Sequence, residues 1–178
     1  GSSSNGSSSS GSSSEQRAIA EMARKFAENK LAPVATRLDL CESGEADRSI
    51  FLENLRGLAA LGFMGMNVKA EYGGSEIGTV AFSLAITEIA RACASTAVTM
   101  SVTNMVAEVI QTVASEGQKQ AYLSKLCSGE YPAGGFALSE MGAGSDPAGM
   151  KTRASEDGDE WVLNGTKMWI SSAEFAGI

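Results

Sequence analysis

Apolar residues recur at helical spacing over the first two thirds of the chain and at alternate positions thereafter. Ile19, Met22, Ala23 and Phe26 fall at i, i+3, i+4 and i+7, which predicts an amphipathic helix beginning near residue 15. Ser12-x-x-Glu15 reads as its capping box, and Pro33 as the residue that ends or kinks it. A second helix is predicted over 49–61, with Ile50, Leu52, Leu55, Leu58 and Leu61 inward and Gly62 as stop signal. Tyr72-Gly73-Gly74-Ser75 is loop. Residues 79–92 and 96–114 read as two long apolar helices. The second carries Val98, Met100, Val102, Met105, Val106, Val109 and Ile110 around much of its circumference, which predicts burial on more than one side. A shorter helix over 117–127 stops before Gly129.

After Pro132 the period changes to two. Alternating runs cover 134–139, 150–155 and 160–171, separated by Glu156-Asp157-Gly158-Asp159 and by Asn164-Gly165. Asn-Gly between alternating segments is a strong short-range hairpin signal, so three or four antiparallel strands are expected. The predicted class is α+β: an amino-terminal all-α helical bundle followed by a truncated, antiparallel, β-barrel-like middle domain. Residues 1–14, made of Gly, Ser and Asn until the chain turns mixed at Glu15, read as a flexible linker or tag. They lack the basic and apolar regions of a signal peptide, and the arginines of a mitochondrial transit peptide. The helical domain is expected over 15–131 and the start of the β domain over 132–178.

Bulk properties narrow the function classes. At 178 residues and 43% hydrophobic content, the chain can bury a core. A net charge of −7 argues against a nucleic-acid partner. No apolar run approaches the roughly 18 residues that span a bilayer, so no membrane role is expected. Cys41, Cys93 and Cys127 are odd in number and lack metal-ligand spacing, so neither a disulfide framework nor a metal site is expected. With no histidine, His-based triads are excluded within the chain.

The chemistry is concentrated in two segments. Phe136-Ala-Leu-Ser-Glu-Met-Gly-Ala-Gly-Ser145 is a short apolar strand running into a glycine-rich loop, and Lys167-Met-Trp-Ile-Ser171 is a strand with a tryptophan beside a hydroxyl. Glycine lets backbone N–H groups approach a polar or anionic ligand, and a flat aromatic suits a planar heterocycle. On these residues alone, a cofactor pocket and an ordinary turn beside a core tryptophan both stay open. The loop matches neither the dinucleotide nor the P-loop fingerprint.

Ala137-Leu138-Ser139-Glu140-x-x-Ala143-Gly144-Ser145-Asp146-x-x-Gly149 resembles the first signature of the acyl-CoA dehydrogenase family. Further similarities follow in order: Leu61-Gly-Phe-Met-Gly-Met66 with Glu71-Tyr-Gly-Gly74, Glu88-Ile-Ala-Arg91 with Ala94-Ser-Thr-Ala97, Gln118 to Leu123, and Leu163 to Ile170. The resemblance covers about residues 15 to 178 and leans toward the short-chain branch. Met141 stands where the family usually has proline, and Pro147 where other small residues are commoner.

The resemblance implies a flavoprotein that oxidises the α,β bond of an acyl-CoA thioester to the trans-2-enoyl-CoA, with FAD as hydride acceptor and electron-transferring flavoprotein as reoxidant. It implies cofactor contacts from Phe136, Ala137, Leu138, Ser139, Gly144, Ser145, Trp169, Ile170 and Ser171. Leu138 and Ser139 would meet the pyrimidine edge, Ser145 the phosphate or ribityl arm and also the CoA ligand. Trp169 would pack on the ring, and Ser171, where threonine is usual, would lie near N5. Val98, Val102 and Met105 are implied liners of the acyl pocket. No catalytic base is expected in the chain: the family places it in the carboxy-terminal helical part, beyond Ile178, and gives the Glu140 position a structural role. Family members run about twice this length, so an amino-terminal fragment of a homotetramer or dimer is expected, cytoplasmic in a bacterium or in the mitochondrial matrix of a eukaryote. A flavin-dependent oxidase or monooxygenase on the same scaffold, or a non-catalytic helical interaction fragment, are the alternatives.

Overall fold

A computed structural model describes residues 13–40, 42 and 44–178. Helix α1 spans Ser14–Phe26. Its capping box forms one residue later than the sequence suggests: Ser13 Oγ accepts from the Gln16 amide, and Gln16 Oε1 accepts from the Ser13 amide at 2.8 Å. Glutamine reaches back as well as glutamate does, and Ser12 and the rest of 1–12 lie outside the described residues. Pro33 does not end the helix. A π turn, Ala27–Leu31, leads straight into α2, Ala32–Leu40. The widened turn makes room for a ring that would otherwise crowd the carbonyl four residues back.

Helix α3, Glu45–Ala60, begins earlier than predicted. Leu55 and Leu58 are fully buried, whereas Ile50, Leu52 and Leu61 are half-buried. Gly62 follows with φ +78°, as a stop signal should. Arg37 Nε donates to the buried Asp47 carboxylate at 2.6 Å and ties α2 to α3. The connection to α4 is loop apart from a 3₁₀ turn at Ala70–Tyr72, yet it buries Phe63, Met64, Met66 and Val68. Helices α4 (Gly78–Ala92), α5 (Ala94–Val113) and α6 (Glu116–Ser128) follow, and Gly129 closes α6 in the left-handed region.

The core lies in two clusters. One joins α1, α3, α4 and the first turns of α5 through Ala23, Leu31, Leu58, Ala85, Ile89 and Met100. The other joins the 68–72 loop to α5 and α6 through Val68, Tyr72, Ala107, Leu123 and Leu126. Helix α5 corrects the expectation of burial around its circumference. Thr96, Thr99, Thr103 and Asn104 are buried, while Val98 (50% exposed), Met105, Val109 and Val113 (76%) face outward. The small polar side chains fit the tight seam because partners meet them: Thr103 Oγ1 accepts the Gly134 amide at 3.2 Å, and Asn104 bonds the 63–66 loop.

The β structure is smaller than predicted. Among the described residues, two strands form an open antiparallel ribbon, β1 (Arg153–Asp157) and β2 (Glu160–Asn164). The pairing runs from Arg153↔Asn164 to Asp157↔Glu160, so the hairpin turns on Gly158-Asp159 and not on Asn164-Gly165. Gly158 takes φ +63° at the first central position, which suits a two-residue turn. Residues 134–139 and 165–171 are not strands. They run beside other backbone through isolated bonds: Gly135 N to Ile178 O at 2.8 Å, Gly177 N to Ala133 O at 2.9 Å, and Met168 N to Ser139 O at 2.9 Å.

Candidate functional site

The root of the 136–145 loop is docked on α5. The Gly134 amide bonds Thr103, and a Cβ at Gly134 would press on Val106, so only glycine lets the backbone lie this close. The loop then doubles back. Glu140 and Ala143 exchange backbone bonds of 3.0 and 3.1 Å around Met141-Gly142, leaving Met141 exposed at the tip and Ala143 buried beneath it. Asp146 Oδ1 accepts the Ala148 amide at 3.2 Å and starts a short 3₁₀ turn, Pro147–Gly149. Proline at the first turn position has no amide to lose.

Glu140 and Lys167 hold this loop against the Trp169 segment. Glu140 accepts the Lys151 amide at 2.7 Å, the Thr152 amide at 3.0 Å and the Lys167 ammonium at 2.9 Å. The Thr152 side chain, the Lys151 amide and the Lys167 ammonium, in that order, hold its carboxyl down at about 2. Lys167 Nζ also donates to the Leu138 carbonyl at 2.9 Å and lies 3.3 Å from Met150 Sδ. Sequence reasoning gave Lys167 no role. The signal available was a lone base after Gly165 and a lone acid in the loop, with nothing to show that they meet.

The donors are unevenly distributed. The Leu138 amide bonds the Phe136 carbonyl at 3.2 Å and its carbonyl takes Lys167, so neither Leu138 backbone group is open. The amides of Ala137, Ser139, Gly144 and Ser145, and the Ser139 and Ser145 hydroxyls, have no hydrogen-bond partner among the described residues. Phe136 and Leu138 are exposed beside them.

Trp169 is 86% exposed, with φ +60°, so it is not a core tryptophan. Ile170 and Ser171 are half-buried behind it. The segment is anchored by Phe175, which packs edge-on against Phe51 of α3 at 5.7 Å, and by the Glu174–Arg48 ion pair. Open amides, hydroxyls and a presented indole suit a planar heterocycle with a polar rim and an anionic arm.

Val98, Val102 and Met105 share the outward stripe of α5, with Val102 half-buried, at the level where Thr103 receives the loop. They are not in the seam between α4 and α5, which Ala85, Ile89 and Met100 fill. Cys93 and Cys127 are buried free thiols, burial pushing Cys127 up to about 11, and Cys41 lies outside the described residues. Among the described residues no group of three metal-ligating side chains gathers, and no helix is long and apolar enough to cross a membrane.

Comparison with known proteins gives a consistent answer. The family model for the acyl-CoA dehydrogenase N-terminal domain matches residues 13–130, and that for the middle domain of the same family matches 135–178. A probable acyl-CoA dehydrogenase of Bacillus subtilis is 37% identical over 91% of the chain and 41% of its own length. The human mitochondrial short-chain specific acyl-CoA dehydrogenase is 39% identical over 87% of the chain and 36% of its own length. A Bacillus anthracis acyl-CoA dehydrogenase, solved in complex with FAD, superimposes with a TM-score of 0.82 at 32% identity, covering 93% of this chain and 28% of that one. The chain therefore spans about two fifths or less of the relatives it matches.

Proposed function

Because this chain belongs to the acyl-CoA dehydrogenase family, we propose that the protein carrying it dehydrogenates the α,β bond of a short acyl-CoA, and that residues 136–171 form one wall of its FAD site. When bound, FAD supplies the acceptor for the β hydrogen as hydride. The chain's own work is to bind, orient and exclude water. The Ala137 and Ser139 amides and the Ser139 hydroxyl serve the polar rim of the ring, and the Gly144 and Ser145 groups serve the anionic arm. Trp169, together with Phe136, Leu138 and Ile170, covers the ring and keeps water from it. Ser171 sets a hydroxyl beside the reacting edge. Ser145 is shared with the CoA ligand, and the Val98–Val102–Met105 stripe receives the acyl chain.

Glu140 is not the base. A carboxylate that already accepts two amides and an ammonium, and is held at about 2, takes a proton poorly at neutral pH. The base is assigned to a residue outside these 178. Electrons pass on to an electron-transferring flavoprotein, and the assembled enzyme is a homodimer or homotetramer.

The single observation that carries this reading is the set of open amides at Ala137, Ser139, Gly144 and Ser145 beside an outward-facing Trp169. The test is anaerobic titration of the flavin-loaded, intact protein with butyryl-CoA. Bleaching of the flavin band is expected there, and no bleaching with residues 1–178 alone. Flavin binding without bleaching by any acyl-CoA would turn the assignment to an oxidase or monooxygenase. Absence of flavin binding would leave a helical interaction module.

A further inference from the structure

Lys167 is 79% withdrawn from solvent at its side chain, since only 21% remains exposed, and it spends its donors on one small region. An ordinary surface lysine is a hydrated point charge whose ion pairs contribute little. This one reaches across 29 residues to the Leu138 carbonyl and across 27 to the Glu140 carboxylate. The geometry has a consequence for the peptide between Leu138 and Ser139. That peptide is planar and trans, so its carbonyl and its N–H point in opposite directions. With the Leu138 carbonyl drawn onto Lys167, the Ser139 N–H is turned to the opposite side, where no described group meets it. The Ser139 carbonyl in turn accepts the amide of Met168, the residue between Lys167 and Trp169.

Resting on the flavin reading above, we propose that Lys167 is a positioning residue: by holding the Leu138 carbonyl and the Glu140 carboxylate, it aims the Ser139 N–H at the cofactor rim and sets the distance from that donor to Trp169. It touches neither cofactor nor substrate. Arginine can keep both bonds and the charge, whereas methionine keeps the length and the apolar stem but neither bond.

The test uses the intact protein with Trp161 and any tryptophan outside these 178 residues changed to phenylalanine, so that Trp169 is the remaining tryptophan. FAD affinity and Trp169 quenching are measured for Lys167, Lys167→Met and Lys167→Arg, and amide exchange is followed without cofactor. Lys167→Met is expected to weaken FAD about tenfold, the worth of the one Ser139 N–H bond that is no longer aimed at the cofactor. It should also shift the bound flavin band and speed exchange at Met168 and Thr152 while α4 and α5 stay protected. Lys167→Arg should restore all three. Glu140→Gln should act in the same direction, and its combination with Lys167→Met should cost less than the sum of the two; it also serves if Lys167→Met fails to fold. Unchanged affinity, band and exchange in Lys167→Met would overturn the proposal. If the parent protein takes up no FAD, the flavin reading falls, and exchange alone then decides: unaltered protection at Met168 and Thr152 overturns the positioning role as well.

Discussion

Asn104, buried in α5, accepts the Met66 amide on its side-chain oxygen at 2.8 Å. Its side-chain nitrogen donates to the Phe63 carbonyl at 2.8 Å and to the Met100 carbonyl at 2.9 Å. One amide side chain thus replaces the secondary structure that the 63–66 loop lacks. Asn104→Ala leaves the Met66 amide and the Phe63 carbonyl buried without this partner, and is expected to destabilise the fold by about 3 kcal/mol. Urea unfolding measures it. Asn104→Asp should fall further, because it keeps the acceptor, loses both donations and buries a charge.

Glu140 makes stability depend on acid in a defined window. Its folded pKa, about 2, lies below the ordinary 4.5, so the ionised form is favoured in the folded state. Its contribution is fully present above the ordinary value, fades as pH falls from about 4.5 toward 2, and is gone below that. The stability difference between the parent and Glu140→Gln should therefore be flat at neutral pH and shrink across that interval. Paired denaturant titrations at several pH values check it.

Gly65 and Cys127 are predicted to be coupled. A methyl on Gly65 would overlap the buried Cys127 sulfur. Gly65→Ala is expected to cost about 2 kcal/mol by overpacking. Cys127→Ala removes the obstructing atom, so the double variant should be more stable than the sum of the single changes implies. A double-mutant cycle read by thermal unfolding decides this.

Trp169 is predicted to favour FAD binding at a cost to stability. It holds φ +60°, a conformation that costs a bulky residue about 1 kcal/mol or more, and its ring gains little burial in return. Trp169→Gly should therefore leave the melting temperature unchanged or raise it, while FAD affinity falls sharply. Trp169→Ala should lose affinity without any gain in stability, because alanine keeps the backbone strain.

Helices α4, α5 and α6 were legible to within a residue or two because apolar spacing and Gly129 agree on where they run and stop. Their exposed faces were not. Hydropathy places Val98 and Val109 inside and Thr99 and Thr103 outside, and tertiary partners such as the Gly134 amide reverse the order. The hairpin was legible in the Glu156–Asp159 break between alternating runs, whereas the stronger local signal, Asn164-Gly165, turns no hairpin among the described residues. The loop and Trp169 were found by their motifs. What joins them, Lys167 to Leu138 and Glu140, depends on contacts between distant segments that no local pattern encodes.

The π turn at Ala27–Leu31 gives the first helical rod an unusual tolerance. Ile19, Ala23, Ala27 and Leu31 are all buried at a strict spacing of four, yet an α-helix returns every 3.6 residues and would swing such a stripe by about 40° at each step. The wider turn takes up the surplus residue and keeps the stripe facing α4. Deleting one residue within 27–31 would thus heal the helix's own hydrogen bonding and still misalign everything before it, so a shortened chain would look better in isolation and pack worse.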